Sequence, residues 1–241
     1  LDQATTYRYA YESTSYTADL LLRYNNTFGK HDVGAFFGYE QYRAETTGFS
    51  AEKKGLIDWS ITDITSGAEM NSIGGSAKSV NAIISYFGRV NYTLMDRYLL
   101  EVNMRADASS RFHKDNRWGL FPSVALGWKI SQEAFLRDSD ILSDLKLRLS
   151  YGQTGQQDIL NDYPYMTTFT VSYPEACYQF GDKWYNTYRP NGYDSDIKWE
   201  TTETYNIGLD YGFLNNRIYG SVDYYQRHTK DLLNTIPVIS G

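Results

Sequence analysis

The sequence is poor in the residues that build cross-linked, helical-membrane or nucleic-acid-binding proteins. Cys177 is the only cysteine, so no internal disulfide can form, and a small, partly buried thiol is the expected role. No run of about 18 or more apolar residues occurs, which excludes a transmembrane helix. It does not exclude a membrane strand, which needs only about 10 residues and meets lipid on alternate positions, so that its apolar signal is halved. The net charge is −6 and Lys and Arg are not clustered, which argues against a nucleic-acid groove. The three histidines, His31, His113 and His228, lie far apart without metal-ligand spacing. Gly74-Gly75-Ser76 reads as a flexible loop, because it lacks the Gly-Lys-Ser/Thr ending of a phosphate loop. No Gly-x-Ser-x-Gly elbow is present. No metal, cofactor, nucleic-acid partner or catalytic residue is expected. The chain opens at Leu1 without a signal peptide and in mid-pattern, as Thr6-Tyr7-Arg8-Tyr9-Ala10-Tyr11. It therefore reads as an internal stretch, with export signals lying upstream or already removed.

What is abundant is tyrosine, 23 residues, with 5 Trp and 11 Phe. Such rings suit a membrane–water interface, a sugar-binding surface or an ordinary sheet. Period-2 alternation decides in favour of strands. Tyr98, Leu100, Val102, Met104 and Ala106 fall on one face, and Leu99, Glu101, Asn103, Arg105 and Asp107 on the other. A helix would mix the two sets. The same pattern recurs around residues 84–92, 123–129, 145–151, 204–213 and 218–227, and less cleanly at 16–28 and 33–46. It predicts eight clear strands, up to ten, all antiparallel. Their length, about 10–14 residues, exceeds the soluble mode of about 5–6 and suits a tilted bilayer crossing. Aromatics bracket several apolar faces, as Tyr86 with Tyr92 and Tyr205 with Phe213, in the manner of outer-membrane girdles.

The links also alternate in length. Gly29–Asp32, Leu94–Arg97 and Leu214–Arg217 are tight, while 47–80 and 156–198 are long and 110–117 is intermediate. Long loops at one end and short turns at the other is the asymmetry of an outer-membrane barrel. The link 130–143, expected to hold one short helix after Ser131, breaks the rule by exceeding 110–117. The pattern therefore predicts an all-β, antiparallel transmembrane β-barrel with long extracellular loops. Glu101, Asn103, Arg105, Asp107, Lys146 and Arg148 would face the lumen. Leu100, Val102, Leu147 and Leu209 would face membrane lipid. Arg or Lys on the lipid side costs about 2–4 kcal/mol at mid-bilayer, so the charges choose the wet face. A carboxylate pair for hydrolysis could be imagined around Glu101 and Asp107, but cross-strand charge pairing on a lumen wall is the simpler reading.

Five blocks, in order, carry a family resemblance. They are Ser85-Tyr86-Phe87-Gly88-Arg89-Val90-Asn91-Tyr92 running on to Asp96-Arg97-Tyr98-Leu99-Leu100; Arg105-Ala106-Asp107-Ala108-Ser109-Ser110-Arg111-Phe112; Asn116-Arg117-Trp118-Gly119-Leu120-Phe121-Pro122-Ser123; Leu142 through Ser150-Tyr151-Gly152-Gln153-Thr154-Gly155; and Lys198-Trp199-Glu200-Thr201-Thr202 through Asp210 to Asn216-Arg217-Ile218. Together they resemble the SusC/RagA family of TonB-linked outer-membrane transporters, over residues 81–155 and 195–233. One position departs: Ala108 stands where the family usually has Gly. The resemblance implies a barrel of about 22 strands, of which this chain is one part of the β-barrel domain, residues 1–241. It also implies an upstream plug, TonB-coupled uptake and a SusD-like surface lipoprotein as partner. Neither plug nor TonB box lies in this stretch, so contact with TonB would run through parts outside it.

The loop 156–198 is the candidate for specificity. It carries Tyr163, Tyr165, Tyr173, Tyr178, Trp184, Tyr185, Tyr188 and Tyr193 among polar residues. Trp184, Tyr185, Tyr188, Arg189 and Tyr178 are the candidate ligand contacts, for an oligosaccharide or an oligopeptide. A soluble β-sandwich acting as a glycan-binding module is the rival reading; it requires shorter strands and apolar faces packed on each other. An outer-membrane enzyme barrel would need a convergent nucleophile and base, which the sequence does not offer.

Overall fold

The computed structural model describes residues 4–56, 58, 60, 63–159, 162–171 and 177–234. Eight strands form one antiparallel sheet: β1 (Thr5–Phe28), β2 (His31–Lys54), β3 (Glu69–Leu94), β4 (Tyr98–Ser109), β5 (Trp118–Lys129), β6 (Leu142–Gln156), β11 (Glu200–Phe213) and β12 (Ile218–Lys230). Their order is that of the chain, β1-β2-β3-β4-β5-β6-β11-β12. Two small ladders, β7 (Phe169–Val171) with β10 (Tyr188–Pro190) and β8 (Cys177–Phe180) with β9 (Lys183–Asn186), occupy the loop between β6 and β11.

The register keeps the two alternating sets apart across every strand. Tyr92, Leu100, Leu126, Leu149 and Ile207 make one cross-strand row, and Val90, Val102, Val124, Tyr151 and Tyr205 another. No second sheet covers these rows among the described residues, and Val102, Leu126, Leu149, Ile207 and Leu209 are exposed. The sandwich geometry is therefore not present. The sheet ends in two edge strands, β1 and β12, whose outer backbone groups must be paired in a bilayer. It is an open portion of a larger barrel.

The turns follow local chemistry. Gly29 has φ +61° and Gly181 φ +62°, the backbone that lets a hairpin reverse in two residues. Asn215 and Asn216 have φ +57° and +58°, as the sequence suggests. Met95 and Asp96 adopt φ +54° and +57° without being glycine, and the Arg97 N–H closes the turn onto the Leu94 carbonyl at 3.1 Å. Ala108 lies in extended backbone inside β4, paired with Ile84 and Trp118, so a glycine's freedom is not needed there.

Two expectations fail. The stretch 47–80 is mostly strand: β2 continues to Lys54 and β3 begins at Glu69, so Gly74 and Gly75 are strand residues. Its polar, glycine-containing composition hid a ladder whose faces are both wet, for which alternation carries no signal. The link after Ser131 holds no α-helix, only a 3₁₀ turn at Ile130–Gln132 followed by tight turns.

The chain divides into two compact units, one of residues up to Ala18 with Tyr42–Ala82, the other of Asp19–Gln41 with Ile83 onward. The first is held by polar links: Glu45 pairs with Arg43 and, at 2.6 Å, with Lys78, and Lys54 pairs with Glu69 at 3.4 Å. In the second, the buried aromatic core is small: Phe112, Phe121 and Trp199, with Ile197 and Leu233 against them.

Candidate functional site

The polar face of the second unit carries three charge clusters, around Arg105, Asn103 and Arg148. Arg105, on β4, donates through Nη2 to Ser85 Oγ at 2.8 Å and to Glu40 Oε1 at 3.3 Å, and through Nε to Asp107 Oδ2 at 2.9 Å. Its guanidinium also lies 5.2 Å from the Phe87 ring centre. Asn103 donates to Glu101 at 2.8 Å and to Ser123 at 3.1 Å, and Arg89 donates to Asn103. On β6, Arg148 donates to both oxygens of Asp210 and, at 3.0 Å, to Asp223. Lys146 stands opposite Asp210 in register. Glu101, Lys146 and Arg148, with Asn91, Ser150 and Asn206, line one shallow pocket on this sheet. The six polar positions read from the sequence thus share one face and are brought together. The arrangement can hydrate and hydrogen-bond a polar solute, since many partners are only partly buried.

The opposite face is apolar and bounded by rings at both ends. On β5, Trp118 and Trp128 are ten positions apart, about 33 Å at about 3.3 Å per residue. At a tilt near 45° that spans about 23 Å, close to the apolar band of an outer-membrane barrel, about 25 Å. Tyr86 stacks on Trp118 with centroids 6.1 Å apart, and Tyr151 packs against Tyr205 with the rings tilted, centroids 4.9 Å apart. At the other end Tyr98 and Trp128 pair directly in register. Leu100 and Val102 lie between these rings on their face, and Leu147 and Leu209 continue the cross-strand row of Tyr98 and Trp128.

The five candidate contacts in the loop between β6 and β11 do not form one surface. Tyr178 and Tyr185 face each other across β8 and β9, on the same side as Phe180 and Lys183. Trp184 points to the other side of that hairpin. Tyr188 and Arg189 belong to the other ladder, opposite Val171 and Thr170, and as neighbours in a strand they point apart. The hairpin's four rings, Tyr178, Phe180, Trp184 and Tyr185, are more than half exposed, as is Tyr188. Tyr173 lies outside the described residues.

Sequence reasoning missed what holds that loop. Arg111 donates to Asp162 at 2.9 Å, to Asp158 at 3.0 Å and to the Gln157 carbonyl at 3.3 Å, which anchors the loop's first end. Trp199 anchors its second end. Its indole donates to the Arg117 carbonyl at 2.9 Å, and its ring lies 5.3 Å from both Phe112 and Phe121. A side chain on Gly119 or Gly155 would collide with the Phe121 ring. These are residues of the blocks that carry the family resemblance; their signal was present, but their convergence was not visible in one dimension. Glu133 was also missed. It accepts from Tyr98 Oη at 2.6 Å, Trp128 Nε1 at 3.0 Å and Arg97 Nη1 at 2.8 Å. Those hydrogen bonds, Tyr98 first and then Trp128, hold its carboxyl below the usual carboxylate range.

A single antiparallel sheet with one charged face, one uncovered apolar face and aromatic borders is the wall of an outer-membrane β-barrel. Residues 1–241 match the family described as TonB dependent receptor-like, beta-barrel, and the chain belongs to that family. It is 45% identical over 238 residues to the TonB-dependent receptor SusC of Bacteroides thetaiotaomicron, covering 98% of this chain and 23% of that protein. It is 32% identical over 239 residues to the TonB-dependent receptor P3 of Formosa agariphila, covering 97% of this chain and 23% of that one. Among solved structures it is similar to the RagAB peptide transporter, with a TM-score of 0.82 and 30% identity over 96% of this chain and 25% of that chain. The RagAB peptide importer in its closed-closed state gives a TM-score of 0.81 and 29% identity over 94% and 24%. The chain thus spans about a quarter of the length of the relatives it matches.

Proposed function

We propose that this chain is part of the wall of a TonB-dependent nutrient importer. In this reading Leu100, Val102, Leu147 and Leu209 face hydrocarbon. Glu101, Asn103, Arg105, Asp107, Lys146 and Arg148 line a watery interior that cargo crosses. Energy enters through TonB acting on a plug outside this stretch, and a SusD-like lipoprotein assists at the surface. The cargo is an oligosaccharide or an oligopeptide; the RagAB structures are of a peptide importer, which favours the second at the level of the family's chemistry. The exposed rings on β8 and β9 are suited to contact cargo or the lipoprotein. The observation that carries the reading is that the charge clusters around Arg105 and Arg148 lie on one face and the uncovered apolar rows on the other; the Glu203–Lys230 pair shares the apolar face but lies beyond Tyr205, towards the long-loop end.

The test uses the full-length parent. Val102→Arg places a cation on the apolar face, where it costs about 2–4 kcal/mol, and membrane assembly should fall sharply. Asn103→Arg, one residue along, should assemble normally. Equal assembly of the two would defeat the assignment of faces.

A further inference from the structure

The link between β5 and β6 is longer than the turns beside it and is not loose. The Glu133 N–H is bound to the Ile130 carbonyl at 3.0 Å, and the Leu136 and Arg137 N–H groups to the Glu133 carbonyl at 2.9 and 2.8 Å. Its one inward-held carboxylate, Glu133, has a side chain 13% exposed and sits against the tips of Tyr98 and Trp128. Those two rings belong to the apolar face. Through Glu133 the link is therefore tied to the lipid side of the wall at the ring border, while Ser131 at its start bonds Asp144, on the charged side, at 3.2 Å. Beyond Glu133 it holds Phe135 72% exposed and Ile141 65% exposed, with Arg137 between them, also largely exposed. A rigid turn that keeps a phenylalanine open to water is unfavourable, but this one continues a face that already meets lipid.

We propose that the link 130–141 is a foot lying in the bilayer interface, with Phe135 among the glycerol and upper acyl region of phospholipid and Arg137 at the phosphates. Aromatic rings and Arg are the side chains that settle at that depth. The foot belongs to the short-turn end of the wall, so its lipid is that of the periplasmic leaflet. The inference rests on the lipid-facing reading given above. It also accounts for why this turn is long where its neighbours are short.

The experiment uses the full-length parent with native cysteines replaced, Cys177→Ser among them. Single labels carrying a nitrobenzoxadiazole dye are placed by Phe135→Cys, Leu126→Cys and Lys114→Cys, in vesicles of phosphatidylethanolamine and phosphatidylglycerol. The dye at 135 should be quenched at least about twofold more by lipid carrying a nitroxide at acyl carbon 5 than by one at carbon 12, and hardly by aqueous iodide. The dye at 126 should show the reverse depth order, and the dye at 114 should be quenched by iodide. Iodide quenching at 135 with lipid quenching at 126 would overturn the foot and leave the wall standing. Iodide quenching at 126 would overturn the lipid-facing reading itself.

Discussion

Arg148 and Asp223 lie on strands that do not touch, yet their side chains meet at 3.0 Å. The strand between them, β11, places Gly208 in the same cross-strand row, opposite both. Having no side chain, Gly208 leaves a corridor through which the guanidinium passes. A Cβ there would stand 2.8 Å from Arg148 Cζ and collide with Asp223. Gly208→Ala should therefore lower stability by about 1–3 kcal/mol, the usual cost of overpacking, read from urea unfolding of the folded parent. Arg148→Met should cost more than Asp223→Asn. The first leaves two carboxylates facing each other, whereas the second leaves the two-oxygen contact with Asp210 in place.

The aromatic core at the long-loop end makes a second prediction. Trp199 is buried and touches Phe112, which is wholly buried, and Phe121. Trp199→Ala should destabilise by about 3–5 kcal/mol, whereas Trp184→Ala, at an exposed site, should change stability by less than about 0.5 kcal/mol. Because Trp199 closes one end of the β6–β11 loop, its loss should also expose that loop to protease before global unfolding. Limited digestion of both variants in membranes checks this.

The wall was legible in the sequence because alternation between Leu100, Val102 and Met104 and Glu101, Asn103 and Arg105 survives whenever one side of a strand is oily. It failed where both sides are wet. Glu69–Ser79 and Thr47–Lys54 mix polar residues and glycine on both faces, so period 2 left no trace and the ladder read as a loop. That the candidate contacts do not share one surface was hidden for a different reason. Tyr178, Trp184, Tyr185, Tyr188 and Arg189 are close in sequence, but two separate ladders and strand alternation divide them. Partners far apart in sequence, such as Arg111 with Asp162 or Trp199 with Phe112, are set by register across several strands, which no local pattern reveals.

Acid should loosen the foot. The Glu133 carboxyl titrates below its ordinary range, of which about 4.3 is typical. A depressed folded-state value means stability that is present above the unfolded value and lost as pH falls through the folded one. From neutrality down to the ordinary carboxylate range nothing should change; the step comes only at pH below that range, where the carboxylate is protonated and its contacts to Tyr98, Trp128 and Arg97 weaken. Trp128 fluorescence, followed in a parent whose other tryptophans are replaced by phenylalanine, should report that step. Glu133→Gln should remove it while leaving the protein folded.

The hairpin of β8 and β9 separates its rings by face, and that gives its function a direct test. Tyr178 and Tyr185 are cross-strand partners, while Trp184 projects from the reverse side. A cargo or partner lying on the tyrosine side would keep part of its contact after either single alanine substitution. Tyr178→Ala with Tyr185→Ala together should remove it. An aromatic contact contributes about 0.5–1.5 kcal/mol, so each ring lost should raise the apparent KM of uptake about 2- to 10-fold, with the maximal rate and stability unchanged. Trp184→Ala should then have little effect on KM. If Trp184→Ala alone raised KM and the tyrosine pair did not, the reverse face would be the one engaged. No change in any of the three would remove the hairpin from recognition and leave the charged inner wall as the surface that reads the cargo.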